Sequence, residues 1–283
     1  LGVQSTIEAS TSKFTPATQR VASAVLANPT LVMENTISEL ASFCDTSVAS
    51  VVRFCRILGL SGYAQLRMTL ATELGREAAQ FGSAQTLGAE IAKSDTLQEI
   101  AAKIASLEML AIDETLNGLD YVVLDRVVAL IDQAPRILLF GIGASQFVAR
   151  DLHHKLFRIG RSAFLLTDSH EAWSSALLAP EGTVAIAFSH SGETADTVRF
   201  VELARDAGIH TLAITGSPDS SIARAARDRL TTSARESHLR AGAMVSRIAQ
   251  LLIVDCLFMG VARQRYDETI DALQRTRDVT HPR

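Results

Sequence analysis

The chain has 283 residues, 47% hydrophobic but only 5% aromatic, and a formal net charge of -4 at pH 7. That length allows one large domain or two ordinary ones with sizeable cores; the charge excludes a globally basic nucleic-acid binder, and no continuous apolar run reaches membrane length. Cys44, Cys55 and Cys256 are scattered without CxxC or metal-site spacing, so reduced thiols in a cytoplasmic protein are expected, with no metal and no cofactor.

In chain order, residues 15 to 33 read as a helix opened by Thr15-Pro16, an N-cap and a first-turn proline, with Val21, Val25 and Leu26 as its stripe and a break at Asn28-Pro29. A short helix follows over Thr36 to Cys44, with Ile37, Leu40, Ala41 and Cys44 on one face. Asp45-Thr46 is a tight turn, and Ser47 is a good N-cap for a second helix to about Leu58. Val51, Phe54, Cys55 and Leu58 fall at i, i+3, i+4 and i+7, an inward face, and Gly59 is placed to end the helix. Two short helices, a tight turn and an apolar seam make a helix-turn-helix, whose second helix enters the major groove of DNA. Its outward residues here are Ser47, Ala49, Ser50, Arg53 and Arg56. Small residues allow close approach, serine bonds base edges or phosphates, and arginine forks onto guanine. Between Thr46 and Thr72 the charged residues are Arg53, Arg56 and Arg67, with no acid among them. Asp45 stands where a turn needs positive φ, which aspartate tolerates better than most residues. A plain helical hairpin with a solvated face is the alternative.

The run Ile37-Ser-Glu-Leu-Ala41, then Ser47-Val-Ala-Ser-Val-Val-Arg-Phe-Cys-Arg-Ile-Leu-Gly-Leu-Ser-Gly-Tyr63 and Leu66-Arg67, resembles the N-terminal domain of the RpiR family of bacterial transcriptional regulators, with Asp45 in place of the usual small turn residue.

Beyond it, Gly75 and Phe81 to Gly88 read as a small-residue linker. Thr96 and Glu99 make a capping box for a helix ending near Asn117-Gly118, and another helix runs from about Tyr121 to Ile131. The expected organisation is a DNA-binding domain over 1–78, a linker and connecting helix over 79–118, and a ligand-binding domain over 119–283.

From Arg136 strands and helices alternate. Strands are expected at 136–140, 163–166, 183–188, 210–215 and 229–232, with a long last helix over about 241–261. That pattern predicts a five-stranded parallel sheet flanked by helices, flavodoxin-like and doubly wound, with ligand at the carboxyl ends of the strands. Two turns there are rich in small and hydroxyl residues: Phe140-Gly-Ile-Gly-Ala-Ser145 and Ser189-His-Ser-Gly-Glu-Thr194. Gly143, Ala144 and Ser145 offer backbone N–H groups and a hydroxyl to one end of a ligand. Ser189, His190, Ser191, Gly192 and Thr194 surround another helix N-terminus, where the dipole favours phosphate. Gly141-Ile-Gly143 also admits a dinucleotide reading, with Asp168 as the ribose acid, although Gln146 occupies the third glycine position. His153 and His154 read as surface or interface residues, and Trp173 as packing.

The two turns, with Ala213-Ile-Thr215, Glu236 and Ser246-Arg247, resemble a sugar isomerase (SIS) domain, the effector domain of the RpiR family. The resemblance implies that Ser145, Ser189, Ser191 and Thr194 hold a phosphorylated sugar and that Glu236 reaches its hydroxyls. It implies a transcriptional regulator of carbohydrate metabolism genes, a repressor in most of its forms. The partners would then be double-stranded operator DNA, a phosphosugar effector and further copies of the chain in a homodimer or homotetramer, with no membrane. The enzymatic alternative, an aldose–ketose phosphate isomerase, needs a general base such as Glu236, Glu193 or His190.

Overall fold

The computed structural model describes residues 2–81, 91–234 and 243–280. The chain divides into two compact units, Leu1–Glu114 and Thr115–Arg283.

The first unit is helical: α1 (Val3–Ala9), a 3-10 turn at Thr11–Lys13, α2 (Pro16–Ala27), α3 (Thr30–Glu34), α4 (Ile37–Phe43), α5 (Val48–Ile57) and α6 (Tyr63–Phe81), followed by α7 (Leu97–Asn117), whose last residues enter the second unit. Its core joins Val3 and Ile7 of α1 to Val21, Val25, Leu40, Val51, Phe54, Cys55, Leu66 and Leu70. The sequence reading did not anticipate α1, which carries only one turn of apolar periodicity. Gly75 lies inside α6 rather than in a linker; an isolated glycine costs a helix only about 1 kcal/mol, which the flanking turns absorb. The rest of the expected linker, 82–88, lies outside the described residues. The capping box before α7 is present: Thr96 N donates to Glu99 Oε2 (2.7 Å) and Glu99 N to Thr96 Oγ1 (3.3 Å).

The second unit follows as α8 (Tyr121–Gln133), β1 (Ile137–Gly141), α9 (Ala144–Arg158), β2 (Ala163–Leu166), α10 (Ser169–Leu177), β3 (Val184–Phe188), α11 (Ala195–Asp206), β4 (His210–Thr215), α12 (Ser221–Ala225), β5 (Asp228–Thr231), α13 (Met244–Gln264) and α14 (Tyr266–Thr280). All strands are parallel, in the order β2-β1-β3-β4-β5. One face buries Ile137, Leu139, Val184, Ile186, Phe188, Leu212 and Ile214 under α8, α9 and α13. The other carries Leu138, Phe140, Ala185, Ala187 and Ala213 under α10, α11 and α12. Burial on both faces is why these strands read as continuous apolar runs. The polar C-terminal helix α14 was not foreseen. By length and composition α13 could span a membrane, contrary to the sequence reading. Ala249, Ile253, Val254, Leu257 and Val261 nevertheless lie in the sheet core, as in any central helix of an α/β layer. Below the sheet, Asp228 accepts from Arg126 and lies 2.8 Å from His210 Nε2. Burial alone would raise the Asp228 carboxyl, but these bonds outweigh it and hold it below the usual range.

Candidate functional site

The first candidate surface is built by α4 and α5. Thr36 caps α4 in a reciprocal capping box with Glu39. The turn after α4 is closed by Asp45 N donating to Ser42 O (3.1 Å) and Thr46 N to Ala41 O (2.9 Å). Asp45 adopts φ 47, the left-handed backbone expected from its position. Arg20, from α2, clamps that turn through bonds to the carbonyls of Cys44 and Asp45. The end of α5 repeats the device, with Gly59 N to Arg56 O (3.0 Å) and Leu60 N to Cys55 O (2.9 Å). Tyr63 fastens the far side, its hydroxyl 3.0 Å from Val32 O and 2.8 Å from Asn35 O.

This frame fixes which side of α5 faces out. Val51, Phe54 and Cys55 are buried, and burial pushes the Cys55 thiol up to about 11. Ala49, Arg53 and Arg56, at i, i+4 and i+7, are exposed in one stripe. Neither arginine side chain makes a hydrogen bond or ion pair among the described residues. Ser47 accepts from Ser50 N (3.2 Å) as the N-cap, and the two serine hydroxyls lie 3.0 Å apart. The helix start therefore uses both hydroxyls locally, and the arginines are the free donors of this face.

The second surface lies at the carboxyl ends of β1 and β3, which pair side by side where the strand order reverses. Open α/β sheets take ligands at this switch point. A cavity of about 180 Å³ there is lined by Ile142, Ala144, Ser145, Ser189, His190, Ser191, Thr194, Ala243, Ser246, Arg247 and Gln250. Of the expected ligand-binding residues, Ala144, Ser145, Ser189, His190, Ser191 and Thr194 are brought together. Gly143 and Gly192 stand behind them. Gly143 precedes α9 with φ 62 and ψ -127, a conformation that excludes most side chains. Gly192 is buried with φ 70, and a Cβ there would lie 2.0 Å from Ser220 Oγ. Glu236 lies outside the described residues.

The β3–α11 loop is heavily tied. Ser189 N donates to Ile214 O (3.1 Å), and Ser189 Oγ accepts from Gly192 N (3.1 Å) and lies 3.2 Å from Thr194 Oγ1. Gly216 N donates to His190 O (2.9 Å). Glu193 turns away from the cavity: its carboxylate accepts from Ser221 Oγ (2.6 Å) and Ser221 N (3.0 Å), bonds that hold it below the usual carboxylate range. Ser189 is thus a pin for the loop, while Ser191 is its outermost hydroxyl. Asp168 is occupied in a similar way, accepting from His170 N (2.9 Å) and Glu171 N (3.1 Å) as the N-cap of α10. That use removes the main support for the dinucleotide reading. Trp173 donates to Asp196 O (3.1 Å) and packs, as expected.

The wall missed from sequence is the start of α13. Ser246 and Arg247, part of the family resemblance, and Gln250 line the cavity from there. Their i, i+1, i+4 spacing was a usable signal, but nothing local says that a helix so far along the chain returns to the first strand. Ala243, just before it, holds φ 51 and ψ 46, a left-handed conformation that is strained for alanine. Among the described residues no cluster of three or more His, Cys, Asp or Glu side chains is arranged to hold a metal ion.

A helix-turn-helix with a bare basic stripe and an α/β domain with a hydroxyl-lined switch-point cavity define a two-module DNA-binding regulator. The helix-turn-helix domain of the rpiR family matches residues 1–77, and the SIS domain matches residues 130–260. An HTH-type transcriptional regulator of Caldanaerobacter subterraneus subsp. tengcongensis is 36% identical over 98% of this chain and 96% of its own. Among solved structures, the Vibrio vulnificus NanR protein complexed with ManNAc-6P is 29% identical, with a TM-score of 0.61 over 98% of this chain and 97% of its own. The sugar isomerase domain of an RpiR transcription factor from Sphaerobacter thermophilus, at 23% identity, shares the fold with a TM-score of 0.58 over 63% of this chain and 98% of its own. The chain belongs to the RpiR family of HTH-type transcriptional regulators.

Proposed function

We propose that this regulator controls carbohydrate metabolism genes as a cytoplasmic repressor released by a phosphorylated sugar. In this reading residues 1–78 bind operator DNA through α5, with Arg53 and Arg56 as principal contacts and Ser47, Ala49 and Ser50 packed along the groove. Residues 79–118 connect, and 119–283 bind the effector. One such helix spans too few base pairs to specify an operator, so a homodimer or homotetramer is the working form. The observation that carries the proposal is the switch-point cavity. Its walls offer the hydroxyls of Ser145, Ser191 and Thr194, the N-terminus of α11 and the Arg247 side chain, a set suited to a phosphate group. NanR, which resembles this chain along its whole length, was solved with a sugar phosphate. No described carboxylate lines the cavity, and Glu193 is held elsewhere by Ser221. The bonds to Ser221 remove Glu193 from the candidate general bases of an isomerase.

The test is a preformed complex of the protein with its operator, titrated with ManNAc-6P, glucose 6-phosphate, fructose 6-phosphate and 6-phosphogluconate. One of them should release the DNA, since an effector shifts the equilibrium only through differential affinity for the two states. The double variant Ser145→Ala/Ser191→Ala should bind the operator as the parent does and ignore the effector. Release unaffected by the double variant would move the effector site elsewhere, and turnover of any of these compounds would restore the isomerase reading.

A further inference from the structure

The wall supplied by α13 contains a side chain with an unmet need. Ser246 and Gln250 lie one turn apart on the cavity face of α13, and each is only 2% exposed. The Gln250 amide nitrogen Nε2 is buried and has no hydrogen-bond partner. A carboxamide nitrogen carries two donor hydrogens and nothing that accepts, and buried donors in folded proteins are as a rule satisfied. Thr197, Thr232, Ser233 and Arg161 also bury a polar atom without a partner, but away from this cavity; Gln250 lines it. A donor left bare inside a binding cavity is matched by a ligand atom that accepts.

We propose that Gln250 determines which sugar phosphate the cavity takes, its side-chain amide donating to an oxygen of the ligand's carbon skeleton while the β3–α11 loop holds the phosphate. The inference rests on the effector reading above and adds to it the end of the ligand that is discriminated. The hydroxyls of Ser191 and Thr194 at the N-terminus of α11 suit an anion. An amide is neutral, so it selects by hydrogen-bond geometry among hydroxyl, carbonyl and acetamido oxygens, features in which sugar phosphates differ from one another. A site built around such a bond also disfavours a ligand that lacks the oxygen, because the buried donor is then left unpaired. Ser246, one turn earlier on the same face, lies beside the ligand position that Gln250 would read.

The experiment uses the full chain, the near-isosteric Gln250→Met, and Gln250→Glu as the polar control. Calorimetry measures affinity for ManNAc-6P, glucose 6-phosphate and fructose 6-phosphate, and for inorganic phosphate as the probe of the loop alone. Gln250→Met should weaken the sugar phosphate that the parent prefers by about tenfold or more, the loss expected for one buried hydrogen bond. Its affinity for inorganic phosphate should stay within about twofold of the parent. Its melting temperature without ligand should not fall, because the variant removes an unsatisfied donor. Gln250→Glu keeps the side-chain length but loses both donors and adds a negative charge, so it should weaken the sugar phosphate by a larger factor than inorganic phosphate, and that difference is the reading if the methionine variant folds poorly. Sugar-phosphate affinity within twofold of the parent, with both variants folded, overturns the assignment of Gln250 alone. A parent that binds none of the sugar phosphates overturns the effector reading and this inference with it.

Discussion

On α5 the arginines expected to meet DNA stand exposed and unpaired, whereas the β3–α11 loop spends most of its polar groups on itself. Ser189 is buried and bonds to Gly192 N, and Glu193 is held by Ser221. The difference follows from what each surface must do. A recognition helix keeps its shape through its own backbone bonds, so its outward side chains are free for a ligand that brings its own shape. A loop has no such internal ladder. Its hydroxyls must first fix the backbone before the remaining donors can form a pocket. Both regions also use a left-handed residue, Asp45 at φ 47 and Gly192 at φ 70. The first sits exposed in an open turn and the second is packed against Ser220.

The largest effect should come from breaking the packed loop. Gly192→Ala adds a left-handed alanine, which costs about 1–2 kcal/mol, and an atom 2.0 Å from Ser220 Oγ, for which overpacking costs about 1–3 kcal/mol more. Gly208→Ala is the control, since its φ is +80 and open space surrounds it; it should show the backbone cost alone. Equal shifts of the urea unfolding midpoint for the two variants would mean that the loop yields around Ser220 and is not rigidly packed. Next in size is the free face. Arg53→Ala should weaken operator binding by about 1–3 kcal/mol if Arg53 forks onto a base, with loss of preference at one operator position. A uniform loss over all sequences, with a shallower salt dependence, would reassign it to a phosphate contact. The smallest effect belongs to the open turn. Asp45→Gly relieves a left-handed side chain and should stabilise the helical unit by up to about 1 kcal/mol, read by chemical denaturation. Destabilisation would show that the Asp45 side chain serves the turn in some other way.

The features legible in the sequence were the local ones. Helix ends at Thr15, Thr36, Ser47, Gly59 and Thr96, the left-handed Asp45, the five strands and the two small-residue turns all depend on neighbours within a few positions, which is the range over which caps, turns and periodicity act. The amphipathic face of α5 follows from spacing alone, so the exposed stripe of Ala49, Arg53 and Arg56 could be placed without coordinates. The errors had the same origin. Gly75 resembled linker composition because the residues around it are mostly polar and small, whereas the buried anchors of α6, Leu66 and Leu70, lie earlier in the helix, and α1 is too short to show a period.

What only the tertiary structure decided was the assembly of the pocket and the occupation of its side chains. Gly141 and Phe188 become neighbours through parallel pairing of β1 with β3, more than forty positions apart in the chain. Ser246, Arg247 and Gln250 join them because α13 packs on the same face of the sheet as α9. No local propensity encodes that return. Whether a hydroxyl or carboxylate is free is likewise set by its partner in space: Asp168 and Glu193 face a ligand only in the dinucleotide and isomerase alternatives, and in the fold one caps α10 and the other is tied to Ser221. Gln250 gave no local signal in the sequence, and burial against the cavity left its amide nitrogen without a partner.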